Sequence, residues 1–480
     1  MTDTTHDTTG PAHLLLVVAD GVRPDVLAEE MAGGRLPALR ALAVRGGLHT
    51  VSASFPSVTG PAYVPFLMGR HPASAGLPGL RWFDRQRSLR WAAAPARSYA
   101  GIDIWQVDRD VHAHLPTVFE MAQPSLSAMS MLGRGVSHGH VGRSVAWMLR
   151  AAPSHFRGDL FGWQRVEQRA TAAFFRRFSA VRPRISVLAL TSPDKFAHKY
   201  GPHAPAVRQA LADIDMAVTT AHTIAARDVW SAPLHVWVVG DHGHAPVTQH
   251  EDLHAWLESR GLRVLAHPQL FVSRPDVALM VGGNAMAHLY LHPEERARRW
   301  WSSHAARWEE TRQALLRREA VDLVVVADNT EQLRVAHAAR GEARIVCDSA
   351  RQRWSYDASG GDPLQLGGSH ADLDRDAAWE LTTRSPYPDA VVQLALLAPA
   401  PRSGDIIVSA SAGWDLRARY EPVAHRSTHG ALLREQMDVP LLLDLPVQRQ
   451  PQRTTDVVPS ALDLLRIPHT QPWDGRSFLR

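Results

Sequence analysis

The sequence predicts an α/β fold in which helices flank a mostly parallel central sheet, with an inserted cap subdomain. Three short apolar runs support this prediction: Leu14–Ala19, Ile185–Leu190 and His235–Val239. Nearly continuous apolar character is typical of strands that are buried on both faces of a parallel sheet. Helical patterns at 37–45 and 204–226 lie between and beside these runs. Strands that alternate with helices favour a parallel sheet.

Each of these three predicted strands is followed by a carboxylate. Asp20 comes directly after the first strand, Asp194 follows the second after Thr-Ser-Pro, and Asp241 follows the third after one glycine. Ligands of open α/β sheets bind outside the carboxyl ends of the strands. We therefore expect the three carboxylates to meet at one edge of the sheet.

The chain divides into a core and a less regular middle region. Residues 14–260 and 424–480 are predicted to form the catalytic core, after a disordered N-terminus at residues 1–13. Residues 261–423 are predicted to form an insertion or cap over the site. The elements expected in the middle and at the end are a helix over 293–318 with Trp300, Trp301 and Trp308, strands over 321–328 and 437–446, and a terminal helix over 454–467. The three tryptophans are expected in the core rather than on a substrate-binding surface.

Composition excludes several classes of function. There are 52 basic and 48 acidic residues, a net charge of +4, without a long run of like charge, which argues against a nucleic-acid polymer as partner. The single cysteine, Cys347, excludes a disulfide framework and multi-thiolate metal sites, so any metal must use carboxylates and some of the 26 histidines. No apolar run approaches the roughly 18 residues needed for a membrane span, and no signal peptide is evident. A soluble, cytoplasmic protein is expected, and its oligomeric state stays open.

Thr59 lies in the segment FPSVTGPAYVPF, just before an apolar helical pattern. The backbone N–H groups at a helix N-terminus favour negative charge, so Thr59 could have a functional role there. The simpler interpretation is that Thr59 is the N-cap of the helix. Local pattern alone leaves both possibilities open.

Two Asp–His pairs follow the predicted strands. Asp194 and His198 are four residues apart, and Asp241 and His242 are adjacent. Either pair alone is a common pattern. Together with Asp20 they supply the mixed oxygen and imidazole ligands that two divalent metals, about 4 Å apart, require to hold the attacking and leaving oxygens of a phosphoryl transfer.

These motifs occur within longer segments that resemble the alkaline phosphatase superfamily. Within that superfamily they are most similar to the type I phosphodiesterase / nucleotide pyrophosphatase group. The segments are VADGVRPD (18–25), FPSVTGPAYVPFLMGRHPASAGLPG (55–79), SPDKFAHKYGP (192–202), GDHGH (240–244), STHG (427–430) and the tail from 454 onward with WDGRSF. Their order along the chain supports the resemblance.

The resemblance implies a two-metal phosphoesterase that hydrolyses phosphodiester or pyrophosphate-type bonds of a small-molecule substrate. It implies that Thr59 is the nucleophile and is transiently phosphorylated. It also implies two divalent ions, with zinc the favoured metal. One ion would be held by Asp20, Thr59, Asp241 and His242, and the other by Asp194, His198 and His429. Local pattern does not indicate His429, because THG in a loop is also typical of a turn.

One position departs from the family pattern. Nucleotide-cleaving members carry an Asn after the nucleophile helix that donates to a phosphoryl oxygen, and Leu80 stands there in this chain. The backbone N–H of Gly60 and the neighbouring Arg81 could compensate for the missing donor. Leu80 also adds apolar surface, which favours a diester with its extra organic group over a more highly charged monoester.

Other hypotheses remain at this point. A phosphomonoesterase or a phosphonate-cleaving hydrolase of the same superfamily is the alternative enzyme, and a non-catalytic binding protein on this scaffold is the alternative from another class. The chain has no Cys/Ser-x-Pro-x-Arg motif, which argues against a sulfatase. Lys195 and Lys199 are expected either to contact phosphate or to lie on a solvated helix face. The remaining nearby histidines are expected to surround the metals or lie on the surface rather than bind them: His203, His244, His250, His254 and His425.

Overall fold

The computed structural model, which describes residues 12–86, 95–269, 272–416 and 424–480, contains a seven-stranded sheet and a nine-stranded sheet. The strands are β1 His13–Ala19, β2 Leu48–Ser52, β3 Arg81–Phe83, β4 Ala96–Ser98, β5 Ser125–Ala128, β6 His140–Val141, β7 Ile185–Leu190, β8 Leu234–Gly240, β9 Ala245–His250, β10 Val264–Ala266, β11 Val277–Gly282, β12 Met286–Leu291, β13 Val321–Ala327, β14 Gln332–His337, β15 Gly341–Asp348, β16 Arg353–Asp357, β17 His370–Leu373, β18 Ile406–Ala410, β19 Gly413–Asp415, β20 Ser427–Thr428 and β21 Asp438–Leu442.

Helices pack on the seven-stranded sheet, and other helices pack on the nine-stranded sheet. The α-helices are α1 Pro24–Ala32, α2 Pro37–Gly46, α3 Val64–Met68, α4 Val107–Asp110, α5 Val118–Met121, α6 Val145–Phe156, α7 Leu160–Val181, α8 Ser192–Tyr200, α9 Pro205–Arg227, α10 Leu253–Ser259, α11 Trp301–Leu316, α12 Arg375–Thr382, α13 Ala390–Leu397, α14 Arg434–Met437 and α15 Val457–Leu464. None of the described helices is long and apolar enough to cross a membrane.

The seven-stranded sheet has the order β2-β21-β8-β1-β7-β5-β6. Strand β1 pairs in parallel with β7 on one side and with β8 on the other, and β21 runs antiparallel to both of its neighbours. The predicted mostly parallel sheet flanked by helices is thus confirmed. Ala19, the last residue of β1, pairs with Leu190 and with Gly240, so the three predicted strands end at the same level.

Both faces of this sheet are buried, which explains the continuous apolar runs. On one face Leu14, Leu16 and Val18 of β1 belong to a core cluster that also contains Trp237 and Val239 of β8. On the other face the alternate residues of β1 pack against the helices, chiefly α9. That second cluster contains Leu15, Val17, Ala19, Leu211, Ile214 and Val218. Alternation along β1 thus divides its side chains between two separate cores.

The middle region forms the nine-stranded sheet, in the order β10-β11-β12-β18-β13-β14-β15-β16-β17. It is largely antiparallel and has its own core, in which Trp301 and Trp308 are buried as expected. Met280 and Tyr290 of this sheet also belong to the core cluster on one face of the parallel sheet. Residues 261–423 therefore contain a second layer that packs directly on the parallel sheet.

Some element boundaries differ from the predictions. Strand β1 begins at His13, one residue before the predicted core, while residues 1–11 of the expected disordered N-terminus lie outside the described residues. The helix expected over 293–318 spans only Trp301–Leu316, and five of the seven residues in the preceding segment PEERARR are charged. The terminal helix begins with a 3₁₀ turn at Thr454–Asp456 and continues as α15.

Candidate active site

Two groups of potential metal ligands lie at the carboxyl edge of the parallel sheet. The Asp20 group consists of Asp20, Asp241 and His242, and the Asp194 group consists of Asp194, His198, His244 and His429. Within each group the ligand atoms all lie within 4.8 Å of one another. The imidazoles of His242 and His429 stack with ring centroids 3.7 Å apart and so join the two groups. The structure therefore brings all the predicted metal-ligand residues into one site.

The Asp20 group is positioned by the shared register of β1 and β8. Asp20 and Asp241 follow the paired residues Ala19 and Gly240. The backbone N–H groups of Gly21 and His242 both donate to Asp241 Oδ1, at 3.2 and 2.9 Å. These bonds orient the carboxylate and leave Oδ2 pointing away from the backbone donors.

Gly21 is required by the close approach of the two groups. Its φ of +69° lies in the left-handed region, and a Cβ at this position would lie 2.9 Å from both Asp194 Cα and His244 Nε2. Any side chain here would push α8 and the Asp194 group away from β1. The glycine that follows the first predicted strand thus has a steric role in the site.

The Asp194 group is assembled from elements that are distant in sequence. Asp194 and His198 lie one turn apart on α8, with Oδ1 and Nε2 separated by 3.4 Å. His429 follows the short strand β20, which pairs with β9, and its Nε2 lies 3.6 Å from Asp194 Oδ1. The hairpin between β11 and β12 secures His429, because Ala285 N–H donates to the His429 carbonyl at 3.1 Å.

The hydroxyl of Thr59 lies against the Asp20 group. Thr59 Oγ1 is 3.3 Å from Asp20 Oδ1 and 3.0 Å from His242 Nε2. Tyr63 donates to the other oxygen of Asp20 at 3.2 Å. The N-cap interpretation of Thr59 was wrong: Gly60, with a φ of +98°, is the N-cap of the 3₁₀ turn Pro61–Tyr63 and no side chain caps it. The helix that follows, α3, has only five residues.

Backbone carbonyls fix the orientation of three imidazoles. His198 Nδ1 lies 3.0 Å from Ser427 O, His242 Nδ1 lies 3.1 Å from Gly243 O, and His429 Nδ1 lies 2.9 Å from Ser57 O. A carbonyl can only accept, so each Nδ1 carries the proton and each Nε2 presents its lone pair to the site. This is the arrangement that metal-binding histidines adopt in proteins.

Burial shifts the pKa values of the carboxyl groups and of the imidazoles in opposite directions, and both shifts favour the neutral form. Burial raises the pKa of Asp20 well above its usual value, and the neighbouring Asp241 and Asp194 raise it further. Burial also raises the pKa of Asp241 to about 8, whereas it lowers the pKa of His242 to about 4. The pKa values of His198 and His429 are likewise lowered by burial. The imidazoles are therefore neutral, and the carboxylates are stable as anions only beside a compensating charge.

Among the described residues, Asp241 Oδ2 is a buried carboxylate oxygen without a hydrogen-bond partner. An unpaired buried carboxylate oxygen carries a large desolvation cost. A divalent cation between Oδ2, Asp20 and His242 would remove that cost, and the mixture of hard oxygens and imidazoles suits ions such as Zn²⁺. The residues present thus fit the metal centre that the family resemblance implies.

The sequence of residues 14–432 matches the family described as type I phosphodiesterase / nucleotide pyrophosphatase. The chain belongs to this family. The matched range includes the second sheet, the parallel strands of the seven-stranded sheet and all seven predicted ligands, and it ends before β21. No curated protein matches the chain in sequence at a significant level. The protein is thus a hydrolase of the phosphodiesterase/pyrophosphatase type.

Solved structures share the fold of this phosphodiesterase-family chain. An inactive variant of murine ectonucleotide pyrophosphatase / phosphodiesterase 5, in complex with AMP, is 14% identical with a TM-score of 0.58, covering 97% of each chain. The human protein of the same name is 14% identical with a TM-score of 0.57, covering 96% of this chain and 97% of its own. Phosphonoacetate hydrolase from Sinorhizobium meliloti 1021, in complex with phosphonoacetate, is 16% identical with a TM-score of 0.54, covering 95% of this chain and 96% of its own.

The predicted substrate side of the phosphodiesterase-family site is apolar next to Gly60. A Cβ on Gly60 would lie 3.7 Å from Leu80 Cδ1 and 3.3 Å from Met131 Cε, so both side chains border the residue after Thr59. Arg81 Nη1 donates to Val281 O of the second sheet at 3.1 Å. Leu80 therefore borders Gly60, while the described hydrogen bond directs Arg81 to the backbone of β11.

Several residues that sequence analysis did not assign to the site lie within it. His244, expected to surround the metals, is fully buried with Nε2 2.8 Å from Asp194 Oδ1. The ring of His425 lies 4.4 Å from that of His198. Nothing in the sequence indicated that Met131 lies in the site, because Met131 is far from every motif. The sequence did indicate His244, which lies two residues beyond the predicted ligand His242 in GDHGH.

The remaining candidates lie outside the ligand groups. His250 is exposed at the end of β9, and His254 Nε2 lies 3.4 Å from Glu258 on α10. Lys195 Nζ lies over the Trp163 ring at 4.3 Å, and Lys199 Nζ lies 5.4 Å from the ring centroid of Tyr200. Both lysines thus have aromatic neighbours, and the charge of Lys195 also acts to lower the pKa of Asp20.

Proposed function

We propose that this protein is a two-metal phosphoesterase that hydrolyses phosphodiester or pyrophosphate-type bonds of small molecules through a phosphothreonine at Thr59. The observation that carries the proposal is the position of the Thr59 hydroxyl. It lies 3.0 Å from His242 Nε2 and 3.3 Å from Asp20 Oδ1, beside a second group of ligands that is joined by the His242–His429 stack. A nucleophile at the junction of two ligand groups suits in-line phosphoryl transfer.

In the proposed reaction, Asp20 and Thr59 have different roles. Asp20 Oδ1 accepts the hydrogen bond of the Thr59 hydroxyl and so orients Oγ1 for attack on phosphorus. As the bond from Oγ1 to phosphorus forms, the bond from phosphorus to the leaving oxygen breaks. Divalent ions, when bound, lower the pKa of the hydroxyl and stabilise negative charge on the leaving oxygen. Water then attacks the phosphothreonine, releasing the phosphoryl product and restoring Thr59.

Leu80 and Met131 support a preference for diesters. Both side chains border Gly60, where a monoester dianion would need hydrogen-bond donors for its additional charge. A diester carries one charge fewer and an organic group that apolar surface can contact. Apolar surface at this point therefore disfavours the extra charge of the monoester and favours the organic group of the diester.

The test is a substrate panel with the zinc-loaded protein. We expect kcat/KM for an alkyl nitrophenyl phosphodiester to exceed that for nitrophenyl phosphate. Phosphonoacetate is included because a hydrolase that was solved with this compound shares the fold. A higher kcat/KM for the monoester or for phosphonoacetate would overturn the proposed substrate class, and the absence of turnover with all three would favour a binding protein.

A second test addresses the covalent intermediate. We expect acid quenching during turnover to trap phosphate on Thr59, detected by peptide mass spectrometry. Thr59→Ala should lower kcat by about 10³-fold or more, as loss of a nucleophile does, and Thr59→Ser should keep partial activity. Near-normal turnover by Thr59→Ala would instead indicate direct attack by water.

A further inference from the structure

His244 differs from the other three imidazoles in the partner of its Nδ1. Nδ1 of His198, His242 and His429 faces a carbonyl oxygen, whereas Nδ1 of His244 lies 3.1 Å from the hydroxyl oxygen of Ser427. A hydroxyl can donate as well as accept. The Nδ1 of His244 can therefore either accept a hydrogen bond from Ser427 or donate one to it, so this contact does not require Nδ1 to carry the proton and allows Nε2 to carry it.

The distance of Nε2 from Asp194 Oδ1 also distinguishes His244 from His198 and His429. His198 Nε2 and His429 Nε2 lie 3.4 and 3.6 Å from Asp194 Oδ1. Two ligands on one tetrahedral zinc, each at about 2.0 Å from the ion, lie roughly 3.3 Å apart. His244 Nε2 lies 2.8 Å from the same oxygen, which is the usual length of a hydrogen bond from N–H to a carboxylate.

From these two observations we infer that His244 is a positioning residue, which donates its Nε2–H to Asp194 Oδ1 and holds that carboxylate in place for the metal of the Asp194 group. The inference rests on the proposed two-metal function. It gives His244 a role other than that of a fourth ligand.

Packing around His244 supports a fixed orientation. The side chain is fully buried, and its ring lies edge-on to His198 and His429 with centroids 4.8 and 5.2 Å away. Gly21 supplies the space for the pair, because a Cβ there would lie 2.9 Å from Nε2. Ser427 orients two rings at once, since its carbonyl faces His198 and its hydroxyl faces His244.

The Ser427 hydroxyl also defines the competing arrangement. It lies 2.6 Å from the carbonyl oxygen of Ala197, to which it can donate its one proton. His244 would then donate from Nδ1 to Ser427 and turn an Nε2 lone pair towards the site as a ligand. The short separation from Asp194 favours the hydrogen bond, and the two arrangements differ in which substitutions they tolerate.

The test compares His244→Gln with His244→Leu. The amide of Gln can donate a hydrogen bond to Asp194 but is a poor zinc ligand, whereas Leu can do neither. Zinc affinity and stoichiometry are measured by chelator competition, and the coordination by the visible spectrum of the cobalt-substituted protein. The matched control is His250→Leu, a histidine that is exposed on β9 outside the site.

We expect His244→Leu to weaken one of two bound zinc ions by about 10- to 100-fold, the usual cost of removing a residue that orients a metal ligand. His244→Gln should keep the affinity within about threefold, with an unchanged cobalt spectrum, and should decide the matter if His244→Leu fails to fold. Equal losses in both variants with an altered spectrum would overturn the inference in favour of a ligand. An unaffected His244→Leu would overturn it while leaving the two-metal proposal intact, whereas a wild-type protein that binds no metal would overturn both.

Discussion

The Asp20 group and the Asp194 group carry similar side chains but depend on different parts of the molecule. Asp20 and Asp241 follow neighbouring strands whose last residues pair directly. In the Asp194 group, α8 carries Asp194 and His198, while His429 follows β20 and is bonded to the hairpin of the second sheet. The first group is therefore built by one sheet, and the second depends on how several elements pack together.

The largest expected effect on activity comes from removing a carboxylate charge in the Asp20 group. Asp241→Asn keeps an oxygen for the bonds from Gly21 and His242 but removes the carboxylate charge. We expect kcat to fall by about 10³-fold, because the group that activates the nucleophile loses its metal. Metal content should fall to one ion per chain. Retention of two ions, with normal phosphorylation of Thr59, would show that the Asp20 group is not the one that activates the nucleophile.

A smaller effect on kcat is expected from a substitution in the Asp194 group. His429→Gln removes one of the three imidazoles of this group, and we expect kcat to fall by about 10²-fold through weaker stabilisation of the leaving oxygen. Diesters with nitrophenyl leaving groups should lose less than diesters with alkyl leaving groups, because nitrophenolate needs less stabilisation. Equal losses of kcat for nitrophenyl and alkyl diesters would contradict the role of the Asp194 group in stabilising the leaving oxygen.

This comparison also separates what sequence could predict from what it could not. Asp20, Asp194 and Asp241 follow apolar runs, so the sheet and its ligand-bearing edge were predictable from local pattern. His429 lies in a short loop with no distinguishing pattern, and only the family resemblance indicated it. Met131 and the role of Ser427 depend on packing between distant segments, which neither periodicity nor motif spacing encodes. The N-cap interpretation of Thr59 failed because Gly60 adopts a positive φ and begins the 3₁₀ turn itself.

The pH dependence of metal binding should distinguish the groups further. Burial raises the pKa of Asp241 to about 8, so below that pH a metal entering the Asp20 group must displace a proton. The pKa of His242 is lowered to about 4, so this histidine adds no proton competition near neutral pH. Since the pKa of Asp20 is raised as well, zinc affinity of the Asp20 group should rise with pH through about pH 8, by up to about tenfold per unit for each proton displaced. Zinc titrations in weak buffer should show proton release below that pH, and a pH-independent affinity would contradict the assignment.

The smallest effect is expected on the substrate side, where the two groups are untouched. Leu80→Asn places a hydrogen-bond donor beside Gly60, and we expect it to shift the ratio of monoester to diester kcat/KM by about tenfold towards the monoester. Leu80→Met is the matched control, since it keeps an apolar side chain of similar volume. Zinc content should stay unchanged in both variants. An unchanged ratio in Leu80→Asn would show that Leu80 does not select the substrate.

The common end level of β7, β1 and β8 has a consequence for how the distance between the metal sites is maintained. Adjacent strands in a sheet are about 4.8 Å apart, and β1 lies between the other two. The backbone hydrogen bonds of the sheet therefore fix the spacing of the ends of β8, β1 and β7. Asp241 and Asp20 directly follow two of these ends, whereas Asp194 is carried by α8, which begins two residues beyond the end of β7. Insertions in loops away from this edge can change substrate access without altering this spacing, whereas changes in the hairpin between β11 and β12 would also move His429. Under the proposed function, the protein can thus vary the substrates it admits while the strand ends that carry Asp20 and Asp241 keep their spacing.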